Sequence, residues 1–79
     1  MTGQQTAVPQ SIHATAIVHP EAQIPESASV GPYSIIGPGV TIGERVTIGS
    51  HVLIERDTSV GDDTQIFKGA VLGTDPQEL

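Results

Sequence analysis

Residues 30–49 read Val30-Gly31-Pro32-Tyr33-Ser34-Ile35-Ile36-Gly37-Pro38-Gly39-Val40-Thr41-Ile42-Gly43-Glu44-Arg45-Val46-Thr47-Ile48-Gly49. In this stretch Val30, Ile36, Ile42 and Ile48 fall six residues apart, and each is followed directly by glycine. The same step continues in both directions. It reaches Ile24, Val18 and Ile12 toward the N-terminus and Ile54, Val60, Ile66 and Leu72 toward the C-terminus, eleven aliphatic positions of which ten are β-branched. Four residues after each aliphatic lies a second column of small or β-branched residues: Ala16, Ala22, Ala28, Ser34, Val40, Val46, Val52, Thr58, Thr64, Ala70 and Pro76. Ten of the twelve charged residues fall two or three places after an aliphatic.

A period of six is not helical, but it is a multiple of two and suits short extended segments separated by turns. The recurrent aliphatic then points inward from each segment, and the charged positions occupy turns where water solvates them. Glycine beside the turn is expected to supply backbone angles that a side chain would forbid. Successive coils would pair strand on strand at about 4.8 Å, so that each coil buries what its neighbour exposes. β-Branched residues suit this arrangement because they are stiff and pack well on a pleated surface. With only Tyr33 and Phe67 as aromatic residues, the expected interior is narrow.

Bulk properties exclude several alternatives. The chain has 79 residues and a formal net charge of −6, which disfavours nucleic acid or an anionic membrane as main partner. The absence of cysteine excludes disulfides and thiolate metal sites. Met1 to Gln10 is polar and lacks the charged and apolar parts of a secretory signal, and no apolar run is long enough to span a membrane. A cytoplasmic protein is the expectation. The chain divides into a flexible N-terminal leader at 1–11, the repeat at 12–77, and the start of an exit loop, cut short, at 78–79.

The pattern aliphatic-Gly-x-x-small-x resembles the hexapeptide repeat of the left-handed parallel β-helix superfamily. The resemblance implies an all-β solenoid of about three and two-thirds coils, with three hexads to a coil. Its left hand is carried over from that superfamily. Three segments resemble more narrowly the acyl-carrier-protein-dependent UDP-N-acetylglucosamine O-acyltransferases of lipid A biosynthesis. They are Ile12-His13-Ala14-Thr15-Ala16-Ile17-Val18-His19-Pro20, Ile35-Ile36-Gly37-Pro38, and Gln65 to Leu79 with its ending Gly73-Thr74-Asp75-Pro76-Gln77-Glu78-Leu79. This implies transfer of a 3-hydroxyacyl chain from acyl carrier protein to the 3-hydroxyl of UDP-N-acetylglucosamine, with no cofactor and with a homotrimer as the full-length assembly. Gln77 and Glu78 stand where the family's Gln and Asp contact the sugar nucleotide, and Glu78 departs from the Asp by one methylene. In the family a downstream histidine is the general base that deprotonates the acceptor hydroxyl. None of the histidines in this chain matches it, so the expectation is an inactive fragment of a longer protein. Two alternatives stay open: an acetyl-CoA-dependent hexapeptide transferase acting on a sugar or sugar nucleotide, and a non-catalytic structural β-helix.

Other candidate chemistry is weaker. With eighteen residues to a coil, His13 and His19 face different sides. His13 and His51 share a side but lie about 10 Å apart along the stack, whereas zinc needs about 2 Å from each nitrogen. No metal site is expected. Glu44, Glu55, Asp57, Asp62 and Asp63 fall at turn positions and read as solvated corners. Gly37-Pro38-Gly39 lacks the Lys-Ser/Thr and the helix of a phosphate loop and reads as a turn. Finally, the next aliphatic position after Leu72 is Glu78, whose carboxylate has no place in an apolar interior, so the coil is expected to break there.

Overall fold

The structure, a computed structural model, describes residues 11–73. Ten two-residue strands follow one another: β1 (Ser11–Ile12), β2 (Ile17–Val18), β3 (Ser29–Val30), β4 (Ile35–Ile36), β5 (Thr41–Ile42), β6 (Thr47–Ile48), β7 (Leu53–Ile54), β8 (Ser59–Val60), β9 (Gln65–Ile66) and β10 (Val71–Leu72). They assemble into three parallel sheets. The first face stacks β1, β3, β6 and β9; the second stacks β2, β4, β7 and β10; the third stacks β5 and β8, extended by a bridge between Gln23 and Thr41. Every pairing joins residues eighteen apart, as in Ile12 with Val30, Val30 with Ile48 and Ile48 with Ile66. The chain is therefore a left-handed parallel β-helix of three hexads per coil. No helix among the described residues is long and apolar enough to cross a membrane.

The two inner columns read from the sequence form the core. Val30, Ile36, Ile42, Ile48, Ile54, Val60 and Ile66 are buried, and so are Ala28, Val40, Val46 and Val52 of the small column. Ile12, Val18, Ile24 and Leu72 at the two ends are half-buried and pack against this core. Among the described residues Ser34 is the one buried polar residue. Its hydroxyl donates to the Gly49 carbonyl at 2.7 Å and accepts from the Val52 amide at 3.0 Å, so a polar group in an apolar interior is satisfied on both counts.

The corners revise the expected role of glycine. The left-handed conformation falls three residues after each aliphatic from Val30 to Ile66, at Tyr33, Gly39, Arg45, His51, Asp57, Asp63 and Gly69. Five of these seven carry side chains. Of the glycines directly after the aliphatics, Gly31, Gly37, Gly43, Gly49 and Gly61 do not adopt it. Gly31, Gly37, Gly43 and Gly49 are small because the next coil lies against them: a Cβ at Gly31 would sit 2.7 Å from the backbone of Gly49, and one at Gly37 would strike the carbonyl of Glu55. Close approach, and not backbone freedom, sets that column.

The hydrogen-bond ladder explains why side-chain-bearing residues accept a strained corner. The amides of His51, Asp57, Asp63 and Gly69 donate to the carbonyls of Pro32, Pro38, Glu44 and Ser50 in the coil before, at 2.8 to 3.1 Å. Each of these four residues thus ties its corner to the preceding one, which offsets its conformational cost.

Candidate functional site

The two residues expected to contact substrate, Gln77 and Glu78, lie outside the described residues. The segment leading to them is visible as far as Gly73. There the backbone breaks phase: Gly73 has a φ of 80°, although it occupies the column directly after an aliphatic, where Gly31, Gly37, Gly43, Gly49 and Gly61 stay out of the left-handed region. The chain thus begins to change course at Gly73, directly after β10 and ahead of Glu78. A side chain there would strike the Thr58 hydroxyl, which itself donates to the Arg56 carbonyl at 2.8 Å.

The histidines prove to be corner residues. Nδ1 of His13 accepts the amide of Thr15 at 3.1 Å and lies 2.9 Å from its hydroxyl. Nδ1 of His19 accepts the amide of Glu21 at 3.0 Å. An accepting Nδ1 carries no proton, which places the ring proton of each neutral histidine on Nε2. His51 instead stacks on Tyr33 one coil below, with ring centroids 5.2 Å apart. The sequence showed these residues at turns but not that two of them replace a missing acceptor. The signal was present as histidine two residues before the corner amide, in the coil that has no predecessor among the described residues.

The acidic residues divide between two corners. Glu55 and Asp57 lie between the second and third faces, where Glu55 is 3.6 Å from Arg56. Glu44, Asp62 and Asp63 lie between the third and first faces and are engaged locally. Asp62 accepts the Glu44 amide at 2.7 Å, Glu44 accepts the Ser27 hydroxyl at 2.6 Å, and Asp63 takes a bidentate pair from Arg45 at 2.7 and 3.1 Å. The hydrogen bond from Arg45 holds the Asp63 carboxyl below its ordinary value. Among the described residues no three His, Asp or Glu side chains are placed to share a metal ion. Gly37, Pro38 and Gly39 form a turn between β4 and β5.

A cavity occupies each end of the described coils. One of about 470 Å³ is lined by Ile12, Val18, Ala22, Ile24 and Ile42 among others. The other, about 570 Å³, is lined by Thr58, Val60, Thr64, Ile66, Ala70 and Leu72 among others. Both are cross-sections of the interior, and neither gathers an acid, a base and an acceptor in one place.

One arrangement escaped the six-residue reading. Stepping by eighteen along the outward side of each face gives Ser11, Ser29, Thr47 and Gln65 on the first and Gln23, Thr41 and Ser59 on the third. On the second face it gives Ile17, Ile35, Leu53 and Val71.

The repeat and the coil geometry together define a class. Residues 21–56 match the family model described as bacterial transferase hexapeptide (six repeats), so this part of the solenoid is similar to those repeats. Eleven chains of solved structure match this one. The particular relative among them is the UDP-N-acetylglucosamine acyltransferase of Francisella novicida, at 42% identity with a TM-score of 0.82, over 85% of this chain and 24% of that one. The narrower resemblance seen in the sequence is thereby borne out. The chain spans about a quarter of that relative's length. No curated protein gives a significant match.

Proposed function

We propose that this chain forms the first coils of an acyltransferase that moves a 3-hydroxyacyl chain from acyl carrier protein to the 3-hydroxyl of UDP-N-acetylglucosamine. That reaction opens lipid A biosynthesis, and the protein performs it in the cytoplasm as a homotrimer. The observation that carries this reading is the 42% identity to a UDP-N-acetylglucosamine acyltransferase over 85% of the chain at a TM-score of 0.82. The out-of-phase backbone at Gly73 supports it further, because a loop that reaches substrate must leave the repeat there.

In this reading the coils are scaffold and the loop after Gly73 is chemistry. Gln77 and Glu78 hold the sugar nucleotide. The general base is a histidine beyond Leu79, so residues 1–79 alone transfer nothing. The test is transfer from 3-hydroxyacyl carrier protein to UDP-N-acetylglucosamine by the full chain encoded by the source gene, followed as loss of the acceptor. Glu78→Gln is expected to raise KM for the nucleotide roughly tenfold, the effect of removing one charged contact. A full chain that uses acetyl-CoA and ignores acyl carrier protein would overturn the proposal.

A further inference from the structure

The three faces are unequal at their lower end. The first and second begin with β1 and β2 and hold four strands each, whereas the third holds β5 and β8 and, below them, the bridge at Gln23. The cavity of about 470 Å³ opens at that place, with Gln23, Ile24, Thr41 and Ile42 in its wall. Ile24 is half-buried there, whereas Ile42 one coil on is 4% exposed. The backbone is already set for one more strand. The Gln23 amide donates to the Val40 carbonyl and the Gln23 carbonyl accepts from the Ile42 amide, both at 2.8 Å, so both groups of Gln23 point up the stack. In a parallel ladder the Ala22 carbonyl and the Ile24 amide then point down it.

Residues 1–10 lie outside the described residues, and their sequence fits this edge at the register of eighteen. Gln5 and Thr6 stand eighteen before Gln23 and Ile24. Gln5 extends the outward column of Gln23, Thr41 and Ser59, in a ladder where stacked glutamines can share hydrogen bonds. Thr6 falls beneath Ile24, Gln4 beneath Ala22 and Gln10 beneath Ala28. Three inward positions thus turn polar together. The last repeat of a solenoid requires this, since it meets the core on one side and water on the other. No side chain from Met1 to Gln10 is charged, so none brings an ion to the apolar wall. Pro9 stands eighteen before Ser27. In that corner column the amides of Arg45 and Asp63 donate down the stack, to the Ser27 hydroxyl and the Glu44 carbonyl. Proline has no amide to donate and so asks for no coil beneath it. It also keeps Val8 extended, which makes this corner wider than those above it.

We infer that Gln4 to Gln10 close the lower end of the solenoid, with Gln5 and Thr6 as the missing lowest strand of the third face. The Gln5 amide donates to the Ala22 carbonyl, and the Gln5 carbonyl accepts from the Ile24 amide. The inference concerns the end of the coils and stands apart from the reaction proposed above.

Hydrogen exchange at the Ile24 amide, followed in the full chain, tests it. The unaltered protein is expected to exchange this amide more slowly than an open one. Gln5→Pro removes the amide that faces the coil, and is expected to speed exchange at Ile24 about tenfold, the scale of one net hydrogen bond. Thr6→Pro removes an amide that faces away from the coil, and is expected to change exchange at Ile24 by less than about twofold. Deletion of residues 2–10 is expected to speed it further than Gln5→Pro while Ile42 stays protected. Strand content and melting are checked for each variant, and the two proline variants decide the matter if the deleted chain does not fold. An Ile24 amide that is open in the unaltered protein overturns the inference, and so does equal exchange in the two proline variants. Protection that survives the deletion overturns it as well, and its loss on dilution would assign the edge to a second copy instead.

Discussion

The first coil and the coils above it bury the same columns yet turn their corners differently. In the first coil the corner amides find acceptors at short range. Thr15 and Glu21 donate to the rings of His13 and His19, while Ala16, Ala22 and Ala28 donate three residues back to His13, His19 and Pro25. In later coils the corner amide reaches down to the coil before. Tyr33 and Arg45 use the hydroxyls of Thr15 and Ser27, and His51, Asp57 and Asp63 use backbone carbonyls. The left-handed corner residue begins only at Tyr33. A corner that can lean on a neighbour adopts a strained backbone to do so. The corners of the first described coil close on themselves, and two of them carry an acceptor in a side chain.

The contrast is sharpest at two positions one coil apart. His19 and Gly37 occupy the same column on the same face, yet the first bears a ring and the second no side chain. Gly37→Ala drives a Cβ into the Glu55 carbonyl and is expected to cost on the order of 3 kcal/mol, the high end for overpacking against backbone, read as a lowered urea midpoint. A cost below about 1 kcal/mol, the level of an ordinary surface change, would break the claim that the upper coils are packed to backbone contact.

Next in size is Ser34→Ala. It leaves the Val52 amide without its buried partner and is expected to cost about 1–3 kcal/mol. Ala16 is the counterpart of Ser34 one coil earlier, and the Ile17 amide that follows it donates to the Ser34 carbonyl. The loss from Ser34→Ala should therefore appear as weaker hydrogen-exchange protection at Val52 and not at Ile17.

His19→Ala removes the acceptor for the Glu21 amide and is expected to cost about 1 kcal/mol, the scale of a lost capping side chain. His19→Asn should recover most of it, because an asparagine oxygen accepts the amide two residues on. Equal stability of the two variants would show that the ring acts by packing alone.

The smallest effect belongs to the exposed pair Arg45 and Asp63. The Asp63 carboxyl titrates below its ordinary value in the folded chain because Arg45 donates to it. Its contribution is therefore present above the unfolded aspartate value and is lost as pH falls through the folded one. Stability of Asp63→Asn and of the unaltered chain should converge in acid and separate slightly toward neutrality. The gap should shrink in high salt, since the pair is solvent-exposed.

The inner columns were legible because the interior repeats every six residues and tolerates little but aliphatic and small side chains. Ile12 to Leu72 and Ala28 to Val52 carry that signal without help from context. The corners were legible as turns but not in kind. Tyr33 and Arg45 have no intrinsic preference for positive φ, and only the hydroxyls of Thr15 and Ser27 in the coil before make it worthwhile. The use of His13 and His19 as acceptors was hidden for a different reason, that it is a local contact of each ring with the amide two residues on. The aliphatic stripe was hidden in the arithmetic: Ile17, Ile35, Leu53 and Val71 emerge at a step of eighteen and dissolve at a step of six. The proposed substrate contacts, Gln77 and Glu78, rest on resemblance alone, because periodicity has nothing to say about residues that bind a ligand.

The constant register of eighteen has a consequence for how such a chain is made. Each strand closes onto a partner one coil away, so every closure spans the same short stretch and carries the same modest entropy. A chain leaving the ribosome can therefore be wound as it emerges, each coil serving as template for the next. Among the described residues, the coil whose corners close on themselves is the one made before the others.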